Sequence, residues 1–281
     1  MKLVVVGLGE MGASLALAMK RGRGKIEIVG VDNDERTMNQ AVQLGIIDKM
    51  TTDLQSAVIN ADLIVLATPT KVIIDYLTQL ARLTLKQTVV VTDTGSTKVQ
   101  VMQAARELTT AGINFVGGHA MAGTQKAGVT AADEKLYDEV PYFLISTQPK
   151  LIETTQRLLA PLQAKFTTIT AVKHDQMMAQ LSDLPHIVAA ALVNSTAQTL
   201  QAEPELPQYA AGGFKDTTRI GGADPKMWTD VLMTNRPATL SALQHYQAQI
   251  AAMISVLENG DAAGINAFFT SSRAIRAKFE E

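Results

Sequence analysis

Residues 1–34 read MKLVVVGLGEMGASLALAMKRGRGKIEIVGVDND, and this stretch decides the fold. Lys2 to Val6 is a short, branched, apolar run, the pattern of a buried strand. It leads into Gly7-Leu8-Gly9-Glu10-Met11-Gly12, a G-x-G-x-x-G turn at the head of an apolar helical segment. A second strand-like run, Ile26 to Val31, ends at Asp32, 20 residues beyond Gly12. Strand, glycine turn, helix, strand and acid in this order form a dinucleotide fingerprint. Gly7 permits the tight turn, Gly9 admits a pyrophosphate close to the backbone, and Gly12 lets the helix pack near the strands. The helix N-terminus offers unpaired N–H groups and the positive end of its dipole to that anion. Asp32 is suited to accept from a ribose 2′-OH and to repel a 2′-phosphate, which favours NAD over NADP. Arg36 is the nearby group that could serve a phosphate instead.

Working outward, the 281 residues are 47% apolar, enough for a substantial core and two domains. A formal charge of -2 without a long basic run argues against nucleic acid as a partner. The absence of cysteine excludes disulfides, thiolate nucleophiles and thiolate metal sites. Met1 runs directly into the first strand and no apolar stretch reaches membrane length, so a cytoplasmic chain is expected.

After Asp32 the pattern alternates. Helical segments are expected at Glu35–Gly45, Leu54–Ile59, Val72–Leu83, Val99–Thr109 and Pro149–Leu162. Strands are expected at Ala61–Ala67, Thr88–Thr92, Phe115–Val116, Tyr142–Ser146 and Phe166–Thr170. Thr68-Pro69-Thr70 closes one of these strands and places Thr68 beside the cofactor. The alternation predicts an α/β fold with a doubly wound, mostly parallel, Rossmann-type sheet. From Val172 the periodic segments are helical only: Val172–Leu181, Ile187–Leu200, Trp228–Asn235, Arg236–Glu258 and Asp261–Phe279. A dinucleotide-binding domain over 1–170 and an all-helical domain over 171–281 are therefore expected, and the Ala- and Met-rich faces of the last helices suit packing between subunits.

Four histidines are present. His119, in GGHAMAGTQKAG, is read as lying in a glycine-rich loop after a strand, at the sheet edge where α/β folds bind ligands. A neutral imidazole there can take a hydroxyl proton as hydride departs; a surface loop histidine is the alternative. Ser96, in DTGSTK, shares that edge and either orients the imidazole, bonds to the same hydroxyl, or caps the helix before Val99. Arg219 and Lys215, in GGFKDTTRIGGADPKMW, supply positive charge for a substrate carboxylate, unless Asp216 or Asp224 neutralises the arginine. His186 follows Pro185 at a helix start and could face the cleft. His174 beside Asp175 reads as local structure at a helix start, and His245 as exposed. The spacing of these groups supports no metal site.

Five segments together resemble the prephenate dehydrogenase family: GLGEMG at 7–12, DTGSTK at 93–98, GGHAMAGTQKAG at 117–128, HDQMMAQLSDLPH at 174–186 and GGFKDTTRIGGADPKMWTDV at 212–231. The resemblance implies a nucleotide domain joined to a helical domain that forms a homodimer. His119 then matches the catalytic histidine, Ser96 its neighbouring serine, and Arg219 the arginine that binds the carboxylate of prephenate. His186 matches a histidine near the substrate side chain, and Lys215 a basic residue at the pocket. Trp228 matches a tryptophan near the dimer interface that reaches the partner's site.

The implied reaction is NAD-dependent oxidative decarboxylation of prephenate to 4-hydroxyphenylpyruvate, in tyrosine biosynthesis. Arogenate, another hydroxyacid, or non-catalytic NAD sensing are the alternatives. Three residues depart from the family pattern: Ala120 where proline is usual, Gln125 where glutamate is common, and Asp183 in place of the first histidine of S-H-L-P-H. The end at Glu281 leads us to expect no appended regulatory or chorismate mutase domain.

Overall fold

The opening strand lies inside the sheet, with the chain turning to opposite sides of it in succession. In the computed structural model, which describes residues 1–22, 24–124 and 126–280, two units are distinguished, Met1–Asn235 and Arg236–Glu281. The first unit begins β1 (Lys2–Val6), α1 (Glu10–Lys20), β2 (Glu27–Val31), α2 (Glu35–Gln43), β3 (Lys49–Thr51), α3 (Leu54–Val58), β4 (Leu63–Leu66) and α4 (Thr70–Leu80). It continues β5 (Val90–Asp93), α5 (Val99–Thr110), β6 (Asn114–Ala120), β7 (Pro141–Ile145), α6 (Pro149–Leu159) and β8 (Lys165–Thr168). The sheet order is β3-β2-β1-β4-β5-β6-β7-β8, and all neighbours are parallel except β6 with β7. The doubly wound, mostly parallel sheet is therefore present. β1 is flanked by β2 and β4, so the glycine turn emerges at the switch point where such sheets bind ligands.

Alternation along β1 builds both halves of the core. Leu3 and Val5 join an apolar cluster with α1 residues Leu15 and Met19, while Val4 and Val6 join another with Ile73 and Leu77 of α4. A strand covered on both faces needs apolar residues along its buried length, as Leu3 to Val6 supply after the partly exposed Lys2. Each fully buried Val or Leu contributes roughly 1.5–3 kcal/mol of transfer free energy.

Two sequence readings change here. β3 was not expected: KMT is a three-residue edge strand, partly exposed and without an apolar run. More consequentially, His119 lies in β6, paired with Phe143 of β7, rather than in a glycine-rich loop. Gly117 and Gly118 are present for close packing. A Cβ on Gly118 would fall 2.3 Å from the backbone oxygen of Asp93, and one on Gly117 2.8 Å from Met102 Sδ. The strand continues through both glycines to Ala120, a buried residue.

Beyond β8 the unit is helical: α7 (Ala171–Met178), α8 (Leu184–Ser195), α9 (Ala197–Ala202), α10 (Gly212–Thr218) and α11 (Pro225–Thr234). Between α7 and α8 the helix widens into a π turn, Ala179–Asp183. Pro185 has no N–H for the carbonyl four residues earlier and its ring displaces that group, which accounts for the widened turn. The second unit is a helical hairpin of α12 (Arg236–Glu258) and α13 (Ala262–Ala277). Gly260 turns it with φ +61°, and Asp261 caps α13 by accepting from the Gly264 N–H at 2.9 Å. Among the described residues no helix is long and apolar enough to cross a membrane.

Candidate active site

The glycine turn forms a cradle that fits a dinucleotide. Gly7 has φ +92°, and a Cβ there would meet the Ala67 oxygen at 2.7 Å. On Gly12 a Cβ would fall 1.9 Å from the Gly7 oxygen, so only glycine brings α1 this close to β1. Gly9, by contrast, has nothing within 4 Å of an added Cβ, and it caps α1 with no side-chain hydrogen bond. The first N–H groups of α1 therefore face open space, where a pyrophosphate would be held. Thr68, whose methyl group lies against Gly7, has a buried hydroxyl without a hydrogen-bond partner among the described residues. Such an orphan is the kind of group that a ligand satisfies.

Asp32 Oδ2 accepts from the Leu8 N–H at 2.8 Å and Oδ1 from the Asp34 N–H at 3.0 Å. Its remaining lone pairs are available for ribose hydroxyls. Leu8 thus acts through its backbone, its side chain being core. Glu10 is tied to the chain after β6, accepting from the Thr124 N–H at 3.0 Å and from the Thr124 hydroxyl. Met11 lines the adjoining cleft, while its carbonyl accepts from the Tyr137 hydroxyl at 2.9 Å.

That cleft has a volume of about 1300 Å³. It is larger than a typical small-ligand pocket of about 300–1,000 Å³. Gly9, Glu10, Met11 and Thr68 line one part, Ser96 another, and His186, Arg219 and Trp228 the helical side. Lys71 of α4 pairs with Asp230 of α11 at 2.7 Å, joining the walls. Arg219 sits on a short 3-10 turn, Arg219–Gly222, whose Gly221 lies against the Ala189 backbone of α8. His186 donates from Nδ1 to the Ser182 carbonyl at 2.9 Å and stacks on Trp228 with ring centroids 3.7 Å apart. Burial holds His186 below the ordinary histidine range; the Ser182 carbonyl and Asp183 oppose that shift and Arg219 adds to it. Trp228 Nε1–H is buried without a hydrogen-bond partner among the described residues.

Lys215, on α10, is exposed and is not among the lining residues. His119 is not among them either; it lies partly exposed at the end of β6, while Gly123 and Thr124, just beyond it, do line the cleft. Asp183 is buried and accepts from Asn235 Nδ2 at 2.8 Å. Gln125 lies outside the described residues.

His119 is held by groups that sequence reading treated as bystanders. Its Nδ1 lies 2.8 Å from Nε2 of His174, whose Nδ1 lies 2.7 Å from Asp175 Oδ1. His174 does lie at a helix start, in the first turn of α7, and it is fully buried; what the sequence reading lacked is its reach to His119. The same Asp175 caps α5 from a distance, accepting from the N–H groups of Lys98 at 2.7 Å and Val99 at 2.8 Å. Ser96 is therefore not the cap of α5: Lys98 occupies the cap position.

Asp93 ties the ends of β5 and β6. It accepts from the N–H groups of Gly118 at 3.0 Å and Gly95 at 2.9 Å, and pairs with the buried ammonium of Lys98. Lys98 also donates to the Gly118 carbonyl at 2.6 Å. Burial pushes the His119 imidazole well below the ordinary histidine value, and the charges of His174 and Lys98 act in the same direction. His119 is thereby kept neutral, as a base must be. The sequence signal for His174–Asp175 was their adjacency; what hid them was a separation of 55 residues from His119.

Comparison with known proteins places this geometry. The sequence pattern of the prephenate dehydrogenase nucleotide-binding domain matches residues 15–168, and that of the prephenate dehydrogenase dimerization domain matches residues 170–271. A prephenate dehydrogenase of Lactococcus lactis is 37% identical over 280 residues, covering 99% of this chain and 77% of the relative. The crystal structure of Synechocystis arogenate dehydrogenase superposes with a TM-score of 0.83 at 32% identity, covering 99% of this chain and 100% of the other. That of prephenate dehydrogenase from A. aeolicus, in complex with hydroxyphenyl propionate and NAD+, gives 0.89 at 29%, covering 99% and 98%. With both domains matched in order, the chain belongs to the prephenate dehydrogenase family and is a dehydrogenase.

Proposed function

We propose that this chain is an NAD-dependent prephenate dehydrogenase that converts prephenate to 4-hydroxyphenylpyruvate and CO2. The observation that carries this reading is His119, held neutral at the carboxyl end of β6 and beside the strand end that presents Ser96 to the cleft. NAD, when bound along the glycine turn, supplies the hydride acceptor.

His119 takes the proton of the ring hydroxyl at Nε2 as the C4–H bond breaks with its electron pair. The ring C–CO2 bond then breaks, its electrons aromatise the ring, and the oxygen regains a proton as a phenol. Ser96 orients the hydroxyl. Arg219 holds a substrate carboxylate, His186 and Trp228 flank the side chain, and Lys215 adds positive charge outside the lining. Gly7, Leu8, Gly9, Glu10, Met11, Gly12, Asp32 and Thr68 form the cofactor side. We further read residues 1–170 and 171–281 as the two functional domains, supported by the family match passing from one pattern to the next near residue 169. Homodimer formation through the helical part fits exposed apolar residues such as Leu257, Phe269 and Ile275 on the second unit.

The 32% identity to an arogenate dehydrogenase favours arogenate as the second reading. Purified protein with NAD, offered prephenate and arogenate separately, tests both. NADH formation with a higher kcat/KM on prephenate is expected; a preference for arogenate reverses the assignment. Replacement of His119 by Asn should lower turnover about 10²–10⁴-fold with NAD affinity unchanged. Equal turnover would remove His119 from the chemistry.

A further inference from the structure

We infer that His174 and Asp175 are positioning residues that fix the tautomer and orientation of His119, leaving its Nε2 as the proton-accepting atom. The inference rests on the reading of His119 as the base. Its starting point is the hydrogen-bond capacity of Asp175. Both carboxylate oxygens accept backbone N–H bonds, Oδ1 from Lys98 and Oδ2 from Val99. A carboxylate so engaged is an acceptor, so His174 Nδ1, 2.7 Å from Oδ1, is the donor.

A neutral His174 then has only a lone pair at Nε2, and His119 Nδ1, 2.8 Å away, must carry the hydrogen. His119 Nε2 is left bare. The tautomer needed for general-base chemistry follows from a backbone cap two residues along from Ser96.

Orientation is fixed as well. The His119 and His174 rings meet edge to face at 5.0 Å, and Phe143 packs against His174 at 5.4 Å. His174 is fully buried and Asp175 nearly so, and the Asp175 carbonyl accepts from Asn235 Nδ2 at 2.9 Å. The charged groups around this chain are Lys98 and its partner Asp93 on the α5 and β5 side, and Asp175 on α7. A proton arriving at His119 Nε2 places a positive charge near the Lys98 ammonium. Hydrogen bonding through His174 to Asp175 is the route by which that charge is shared and opposed.

Imidazole ¹⁵N NMR on the whole histidine-labelled chain tests the tautomer without a change in the site, the His119 signals being assigned by their loss in His119→Asn. At neutral pH, His119 should show a protonated Nδ1 and a bare Nε2; the reverse overturns the inference. Kinetics then compare His174→Gln, whose Oε1 can accept the same bond, with His174→Leu, which cannot. The leucine variant should lose about 10²-fold or more in kcat with KM within about threefold, and glutamine should restore part of it. Equal losses in both, or a loss confined to KM, would show His174 to be packing only. The base reading fails separately, through an active His119→Asn enzyme, whereas the wild-type tautomer is decided by the spectrum alone.

Discussion

At the scale of single residues, burial sets the direction of the shifts at His119 and Lys98. His119 is held below the ordinary histidine value by desolvation, with His174 and Lys98 adding to it. The base is active when neutral, so kcat/KM should stay high as pH falls through about 6.5, the unperturbed histidine value, and decline only below it. A pH profile whose acid limb sits at or above that value would contradict the environment described. The same shift bears on stability. Between the folded and unfolded values the unfolded chain binds more protons at this position, so stability is retained above about 6.5 and is lost as pH drops toward the folded value. Lys98 is likewise pulled down by burial, with Asp93 opposing. Lys98→Met would leave Asp93 buried without its ion-pair partner and should cost about 3–5 kcal/mol in chemical denaturation. A loss under about 1 kcal/mol would mean that the backbone N–H groups alone sustain that carboxylate.

At the scale of elements, two glycines of one turn should behave differently. Gly9→Ala adds a methyl group into open space, so the melting temperature should hold while NAD binding weakens on titration. Gly12→Ala places its Cβ 1.9 Å from the Gly7 oxygen and should destabilise the fold by roughly 1–3 kcal/mol or more. Similar melting temperatures for the two variants would show that α1 can shift away from β1. This turn was readable in sequence because its physics is local: strand, turn and helix are contiguous. β6 was readable only in part. GGHA looks like a loop when glycine is taken as flexible, whereas here it lets two strand ends approach. The π turn at Ala179–Asp183 was not readable either, since a helical apolar period runs through it with only Pro185 as a mark.

At the scale of the whole molecule, fold class and the glycine turn were legible from periodicity and one motif, whereas the groups behind His119 depended on long-range contacts. Exposed apolar residues on α13, Phe269 and Ile275 among them, are where a second copy is expected. Phe269→Glu should shift the oligomer toward monomer in sedimentation, with little change in helicity; an unchanged dimer would place the interface elsewhere. The helical residues after 170 also contribute to the environment of His119. The cap of α5 and the hydrogen bond to His119 both come from α7.

That dependence has a consequence for how the chain is made. A ribosome that has released only the first 170 residues has already produced every strand of the described residues, the glycine turn and His119, yet α5 begins with two uncapped N–H groups and His119 has no fixed tautomer. A fragment ending there should acquire its sheet and take up nucleotide before it is competent for proton transfer. Competence then arrives as a late event, when α7 emerges and a single carboxylate closes the helix and sets the base together.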